Sequence, residues 1–389
     1  MDLIRNINGK LLRCGYTTGS SATAATKAAL QLVLSGKEVE RVKILTPSAV
    51  ELSISVLEQA ILETGPEGPK SAQAAVRKDS GDDPDVTNGC LIYSRVDLID
   101  SGLEICGGQG VGKVTKAGLD QPVGEWAINS VPRRTIAEVV SEVSAEFNYR
   151  GGVKVTISVP EGEALAKKTF NPKLGIVGGI SIIGTAGIVE PMSTRAIAET
   201  NRLEIKQLAE RGEKKLLLAP GNYGKSFAEE QLGLDPAEIM TCSNFIGEAI
   251  DAAVESKISE ILLIGHIGKL VKLGLGITNT HSANADGRME MMVLLGLLAG
   301  LERPELLEIA AAATTDAALA VLWRENALDR AMEELRLRID ACLERRVPET
   351  SRIGFICFSN AEDFAGVLCH SPAAEDLIKL WSGRLKGEK

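Results

Sequence analysis

Residues 215–233, KLLLAPGNYGKSFAEEQLG, decide how the back half of the chain is read. Leu216, Leu217 and Leu218 run into Pro220-Gly221, and a helix-like pattern follows. A short apolar run stopped by Pro-Gly and followed by a helix suits a buried strand with a loop at its carboxyl end. With Ala allowed at the first position, the same stretch spells A-x-x-x-x-G-K-S, a relaxed phosphate-binding loop. Two features oppose nucleotide binding. Pro220 removes one N–H from a loop whose purpose is to aim N–H groups at phosphates. The later strand ILLIGH ends on His266, where a magnesium-holding Asp would be needed. The expectation is a Gly-bent strand-end loop, Gly221-Asn222-Tyr223-Gly224, approaching some other ligand. An NTP-dependent enzyme is the alternative.

Working outward, the same rhythm repeats. LGIVGGI (174–180) leads through SIIGTAGIVEPM to a helix over 193–212, for which Ser193 is the expected N-cap. EIMTCS (238–243) leads into NFIGEAIDAAVESK, and ISEILLIGHIG (258–268) begins a further unit. Strands alternating with helices predict a Rossmann-like, doubly wound parallel sheet over 166–389, with a helical C-terminal region. There PELLEIAAAATTDAALAVLWREN (304–326) reads as one helix, and RIGFICFSN (352–360) as one more strand. Residues 1–165 read instead as an α+β domain. SSATAATKAALQLVLSG (20–36) is a helix stopped by Gly36, residues 41–62 a hairpin, SAQAAVR (71–77) helix-like, 132–147 a helix and 152–160 a strand. The fold class expected is α/β plus α+β.

Composition limits the partners. A formal charge of −9 and 4% aromatic residues disfavour nucleic acid, which needs a basic face. A local basic pocket can still work in an acidic protein, because charges are screened over about 8 Å. The longest lipid-compatible run, MMVLLGLLAGL, is shorter than the roughly 18 residues a span requires, and the opening residues lack a signal-type apolar stretch. Seven cysteines without a C-x-x-C pair suit reduced thiols, so a cytoplasmic location is expected. Self-association stays open.

Several stretches offer chemistry. Tyr16, Thr17, Thr18, Gly19 and Ser20 precede a helix, where hydroxyls and free N–H groups suit an anion or merely cap the helix. Gly178, Gly179, Gly184 and Gly187 miss the dinucleotide spacing G-x-G-x-x-G, and either admit a ligand or let the chain turn. Asp79, Asp82, Asp83 and Asp85 form an acidic turn that could hold a cation, act as a base or be solvated. His266 and His281 sit beside loops, and no H-x-x-x-H pattern occurs, so no protein-built metal site is expected. Arg13, Lys78, Lys113, Lys116, Arg133, Arg134, Lys269, Lys272 and Arg288 lie near glycines and would form a polycarboxylate site if several converged.

GYTTGSSATAATKAA, KDSGDDPDVTNG, GKVTKAGLDQPVGEWAINSVPRR, VPEGEALAKKTFNPKLGIVGGISIIGTAGIVEPMS, APGNYG, GHIGKLVKL and HSANADGRMEM together resemble the CbiD family, the cobalt-precorrin-5B C1-methyltransferases of anaerobic cobalamin biosynthesis. The likeness spans roughly residues 10–290. It implies S-adenosylmethionine as methyl donor and a cobalt-bearing tetrapyrrole with acetate and propionate arms as acceptor, the cobalt arriving with the substrate. It also makes Lys225-Ser226 coincidental. On this reading the back domain holds the donor at Gly178, Gly179, Gly184, Thr185, Gly221, Asn222, Gly224, Ser243 and Asn244. The front domain and the cleft beside it hold the tetrapyrrole. Its carboxylates would meet Arg13, Tyr16, Thr17, Thr18, Gly19, Lys78, His281 and Arg288. Loss of a proton from the ring system would need a base, for which His266, Asp82 and Asp83 are candidates. A non-catalytic corrinoid carrier is a second alternative, disfavoured by the presence of two Gly-rich loop systems.

Overall fold

The computed structural model describes residues 3–7, 9–66, 68–191 and 194–381. Ser193, expected to cap a helix, lies outside them. The chain divides into two compact units between residues 193 and 194.

The main elements of the first unit are α1 (Thr18–Ser35), β1 (Glu58–Gly65), β2 (Gly68–Arg77), β3 (Leu91–Ile99), β4 (Leu103–Gly107), α2 (Ser130–Glu146) and β5 (Gly152–Ser158). The sheet runs β1-β2-β3-β5-β4, antiparallel apart from the β5–β4 pair. α1 packs on β2 and β3 and against α2. Its alanines explain how it can be so deeply enclosed: Ala22, Ala25 and Ala29 are wholly buried and let backbones approach. Gly36 ends it in the left-handed region, φ 69°, as its sequence predicts.

Two expectations fail here. SAQAAVR is strand, not helix. Alanine favours helix intrinsically, but Ala72, Ala74 and Val76 alternate onto the core shared with α1, where small side chains make room for the helix. The boundary expected at 165/166 falls at 193/194. Ile176–Val177, Gly179–Ile180 and Ile188–Val189 pair with Lys113–Val114, Gly110–Val111 and Gly15–Tyr16, which ties residues 166–191 into the first unit.

Within the second unit lie α3 (Thr194–Glu210), β6 (Lys215–Ala219), α4 (Asn222–Leu232), β7 (Ile239–Thr241), α5 (Ile246–Glu255), β8 (Glu260–His266) and the single turn α6 (Ile267–Leu270). Helices α7 (Arg288–Leu298), α8 (Arg303–Ala311), α9 (Thr315–Arg324) and α10 (Leu328–Glu344) precede β9 (Arg352–Ser359), β10 (Gly366–His370) and α11 (Pro372–Lys379). The sheet runs β7-β6-β8-β9-β10, parallel except for β10, which pairs antiparallel with β9 at the edge.

Strand residues alternate between two apolar layers. Leu216, Leu218, Ile261, Leu263 and Phe355 face one core with α5 and α7–α10, while Leu217, Leu262, Ile264, Ile356 and Phe358 face another with α4 and α11. Burial on both faces is why these strands read as unbroken apolar runs. The helix expected over 304–326 is two, because the chain turns extended at Ala312 and Thr314 caps α9 through its side chain, which accepts from the Ala317 N–H. β10 was not read from sequence.

Candidate functional site

Seen from β6, the chain leaves through α4 on one face to reach β7, then returns through α5 on the other face to reach β8. The loops at the carboxyl ends of β6 and β8 therefore diverge to opposite faces, the place where open α/β sheets leave a crevice. Three loops bound it: Pro220-Gly221, Cys242-Ser243-Asn244-Phe245 and the turn from His266 to Leu270.

The β6 loop is short. α4 begins at Asn222, two residues past the strand, so Lys225 sits on the helix and no wrapped phosphate loop forms. Gly221 has φ 125° and ψ −177°, a conformation essentially restricted to glycine. Gly224 allows the start of α4 to pack on β8, where an added Cβ would stand 2.6 Å from the Ile264 carbonyl oxygen. No side chain caps α4. Its opening N–H groups are the ones a helix cannot satisfy itself. Ser243, at the end of β7, is held at φ 55°.

Lys269 ties these loops together. Its Nζ donates to the Pro220 carbonyl oxygen and, at 3.3 Å, to that of Ser243. Burial pushes its pKa below the ordinary lysine value, with Cys242 opposing and nearby Lys272 adding to the fall. His266 ends β8 and caps α6: its Nδ1 accepts from the Gly268 N–H at 3.1 Å. Nε2 faces Asp316 at 4.0 Å, and the ring meets Phe358 edge-on. Burial lowers its pKa, partly offset by Asp316. When the ring is neutral, the Nδ1 lone pair is engaged by the Gly268 N–H and the hydrogen sits on Nε2. The structure thus places His266 as the cap of α6, with Nδ1 engaged and Nε2 turned toward Asp316.

Beside Lys269 a cavity of about 280 Å³ opens, lined by Asn244, Gly268, Lys272, Thr280, His281, Ser282 and Arg288 as well. Lys272 is 2% exposed and donates to the carbonyl oxygens of Thr280 (3.1 Å) and Ala285 (3.0 Å). Thr280 fixes Asn244 in turn, through Oγ1 to Asn244 Oδ1 at 3.2 Å. His281 Nδ1 accepts from the Ala283 N–H. Arg288 grips Asp286 with two bonds, Nε to Oδ1 at 2.6 Å and a terminal nitrogen to Oδ2 at 2.9 Å. Those bonds hold the Asp286 carboxyl down to about 2. Three cations and one carboxylate give the region a net positive charge inside a chain of charge −9.

The structure brings together part of the expected site. Gly221, Asn222, Gly224, Ser243, Asn244, His266, His281 and Arg288 all belong to the strand ends of the second unit or the loop that follows. Gly178, Gly179, Gly184 and Thr185 belong to the first unit. Gly179 packs on Gly110, and a Cβ on Gly184 would stand 2.2 Å from Thr17 Oγ1, so both serve close backbone approach.

The anion site expected before α1 is filled by the protein itself. The Gly19 N–H donates to the Ile183 carbonyl oxygen, the Ser20 N–H to Thr17 Oγ1, and the Ser20 hydroxyl to the Gly187 carbonyl oxygen. Thr18 Oγ1 accepts from the Ile183 N–H, and the Tyr16 hydroxyl donates to the Arg77 carbonyl oxygen. Lys78, 2% exposed, pairs with Asp85 at 2.6 Å, and Arg13 grips Asp79 with two bonds. Asp79 and Asp85 of that acidic turn thus hold the fold. Asp82 accepts the Arg13 N–H at 2.7 Å and is exposed, while Asp83 is partly buried.

Sequence reasoning noted Lys269 and Lys272 without assigning them and missed Asp286, Thr280 and Ser282. A lysine inside the apolar run LVKL is the signal for Lys272, since a cation among leucines needs partners. Among the described residues no group of three or more His, Cys, Asp or Glu side chains could hold a metal ion, and no helix is long and apolar enough to cross a membrane.

Parallel strands ending at a cation-rich crevice define a mixed α/β protein. The sequence model of CbiD matches residues 5–191, and that of the CbiD C-terminal domain matches residues 279–367. The cobalt-precorrin-5B C(1)-methyltransferase of Ruminiclostridium cellulolyticum is 43% identical over 96% of both chains. That of Photorhabdus laumondii is 46% identical over 85% of both. A crystal structure of a cobalamin biosynthesis protein from Archaeoglobus fulgidus is 32% identical, with a TM-score of 0.39 over 74% of this chain and 88% of that one. The chain belongs to the CbiD family.

Proposed function

We propose that this protein methylates C1 of cobalt-precorrin-5B to give cobalt-precorrin-6A, with S-adenosylmethionine as methyl donor. One observation carries the reading: a protein named for that reaction is collinear with this chain over 96% of both lengths. We read the second unit as a Rossmann-like, doubly wound fold, and its strand order, 2-1-3-4-5 in chain sequence, supports a donor site at the ends of β6, β7 and β8.

The residues there suit such a ligand. Gly221 exposes bare backbone, the uncapped start of α4 offers N–H groups to oxygen acceptors, and Asn222 and Asn244 supply amides. When bound, the donor supplies an electrophilic methyl on a sulfonium. Lys269 locks the Pro220 and Ser243 carbonyls, so the loops are set before ligand arrives. Lys272, His281 and Arg288 would hold carboxylate arms of the acceptor. Alignment of this kind lowers a bimolecular barrier by about 7–11 kcal/mol. The candidates for the proton acceptor are His266, Asp82 and Asp83, each tested by exchange to Asn.

The test is mass spectrometry of cobalt-precorrin-5B after incubation with the protein and S-adenosylmethionine, preceded by calorimetry with the donor alone. Gain of one methyl group, lost when the donor is omitted, is the expected result. An unchanged tetrapyrrole mass with properly folded protein would refute the assignment.

A further inference from the structure

Resting on the reading above, one question about the cavity beside Lys269 is open: what its cations face before substrate arrives. Lys272 is a buried ammonium with two carbonyl partners, and its nearest ion-pair partner, Asp286 Oδ1, stands 3.6 Å away, beyond hydrogen-bond reach. A buried cation is costly unless paired and hydrogen-bonded. Arg288 presents its guanidinium fork to the same Asp286 carboxylate. One carboxylate therefore faces two cations, Lys272 and Arg288, that themselves line the cavity.

This carboxylate is held by Arg288 yet open to solvent. The Asp286 side chain is 48% exposed, it lies two residues from Arg288 across Gly287, and Gly287 is at φ 65°, where a Cβ would meet Leu275 at 2.7 Å. A ligand carboxylate that takes over both guanidinium bonds offsets the loss of the Asp286–Arg288 pair, whereas Lys272 stays fixed by the Thr280 and Ala285 carbonyls whichever carboxylate it faces.

We propose that Asp286 is a resident stand-in for a substrate carboxylate: an acetate or propionate arm of the tetrapyrrole takes its place on Arg288 and closes the remaining gap to Lys272. The cavity favours the acceptor over the donor as source of that carboxylate. The amino-acid end of the donor carries an ammonium beside its carboxylate, and a wall of Lys269, Lys272 and Arg288 repels it once Asp286 turns outward.

The experiment is calorimetric titration of the full chain with cobalt-precorrin-5B and, separately, with S-adenosylmethionine, using Asp286→Asn and Lys272→Met. Removing a competitor has the opposite sign from removing a support. Asp286→Asn is expected to tighten tetrapyrrole binding by about three- to tenfold, in the range of one charge-assisted contact, and to lower KM with kcat unchanged or reduced. Donor affinity stays within about twofold on the same scale.

Lys272→Met is expected to weaken tetrapyrrole binding at least about tenfold. If Met at this buried position lowers Tm enough to obscure binding, Arg288→Gln, at a more exposed site, replaces it with the same expectation. Weaker tetrapyrrole binding in Asp286→Asn overturns the proposal and makes Asp286 a positioning residue for Arg288. Unchanged tetrapyrrole binding also overturns it, as does a change confined to the donor. A wild-type chain that neither binds nor methylates the tetrapyrrole removes the functional reading, and this inference with it. A wild type that methylates normally beside an Asp286→Asn variant that binds worse removes the inference alone.

Discussion

At Gly221 a single backbone geometry carries the strand-end loop. Its φ 125°, ψ −177° is strained for any side chain, although the nearest atom to an added Cβ is Lys269 Nζ at 3.6 Å. Gly221→Ala therefore meets strain without a clash, of about 1–3 kcal/mol. A fall in Tm together with weaker donor binding is expected, read by thermal melting and calorimetry. Wild-type values for both would show that the loop tolerates a side chain.

His266 gives a second residue-scale expectation, in pH. Burial holds its folded pKa below the ordinary 6.5. Between those two values the unfolded chain binds the extra proton, so stability rises with pH across that window. It is fully present above 6.5 and lost as acid passes through the folded value. His266→Asn keeps a cap acceptor without a titrating ring, so its Tm should fall less than that of wild type between ~pH 7 and ~pH 5. Parallel profiles would assign the acid sensitivity elsewhere.

Elements show why the sequence disclosed one part of the site and hid another. The β6 strand, its Pro-Gly bend and α4 are adjacent in sequence, so the apolar run and the helix pattern expose them directly. Phosphate-loop spelling at 219–226 misleads because a motif records spacing, whereas α4 starts at Asn222 and carries Lys225 on its surface. The locking of Thr17, Thr18 and Gly19 by residues 181–187 is a pairing across more than 160 positions, and periodicity carries no trace of it.

The strand at 68–77 is hidden in the sequence for a related reason. Its alanines answer to the helix packed on them, a tertiary demand that overrides propensity. Gly224 tests the element scale, because the approach of α4 to β8 depends on it. In Gly224→Val the new side chain meets the Ile264 carbonyl oxygen and Ala219. Overpacking there should cost about 1–3 kcal/mol and shift the start of α4 enough to impair donor binding. Lys225→Ala should leave donor binding as it was, which separates a glycine required for packing from a lysine required for phosphate.

On the scale of the whole chain, the two units have separate apolar cores. One is built around Ile92, Val155 and α1, and the others lie on the two faces of the β6–β10 sheet around Leu263 and Phe358. Units of 193 and 196 residues, each with its own core, are large enough to unfold as separate cooperative steps. Scanning calorimetry is expected to resolve two transitions. Leu263→Ala and Ile92→Ala each remove a fully buried side chain, at about 2–5 kcal/mol. Each should lower only its own transition, by about 2–4 °C per kcal/mol.

S-adenosylmethionine then becomes a locator. A ligand stabilises the unit whose folded form binds it, so a donor held by Gly221, Ser243 and Asn244 should raise the transition that Leu263→Ala lowers. A donor that raises the Ile92-sensitive transition instead would move its site to the first unit and return Gly178, Gly179 and Gly184 to candidacy. One transition lowered by both substitutions would mean that the chain unfolds as a single cooperative body.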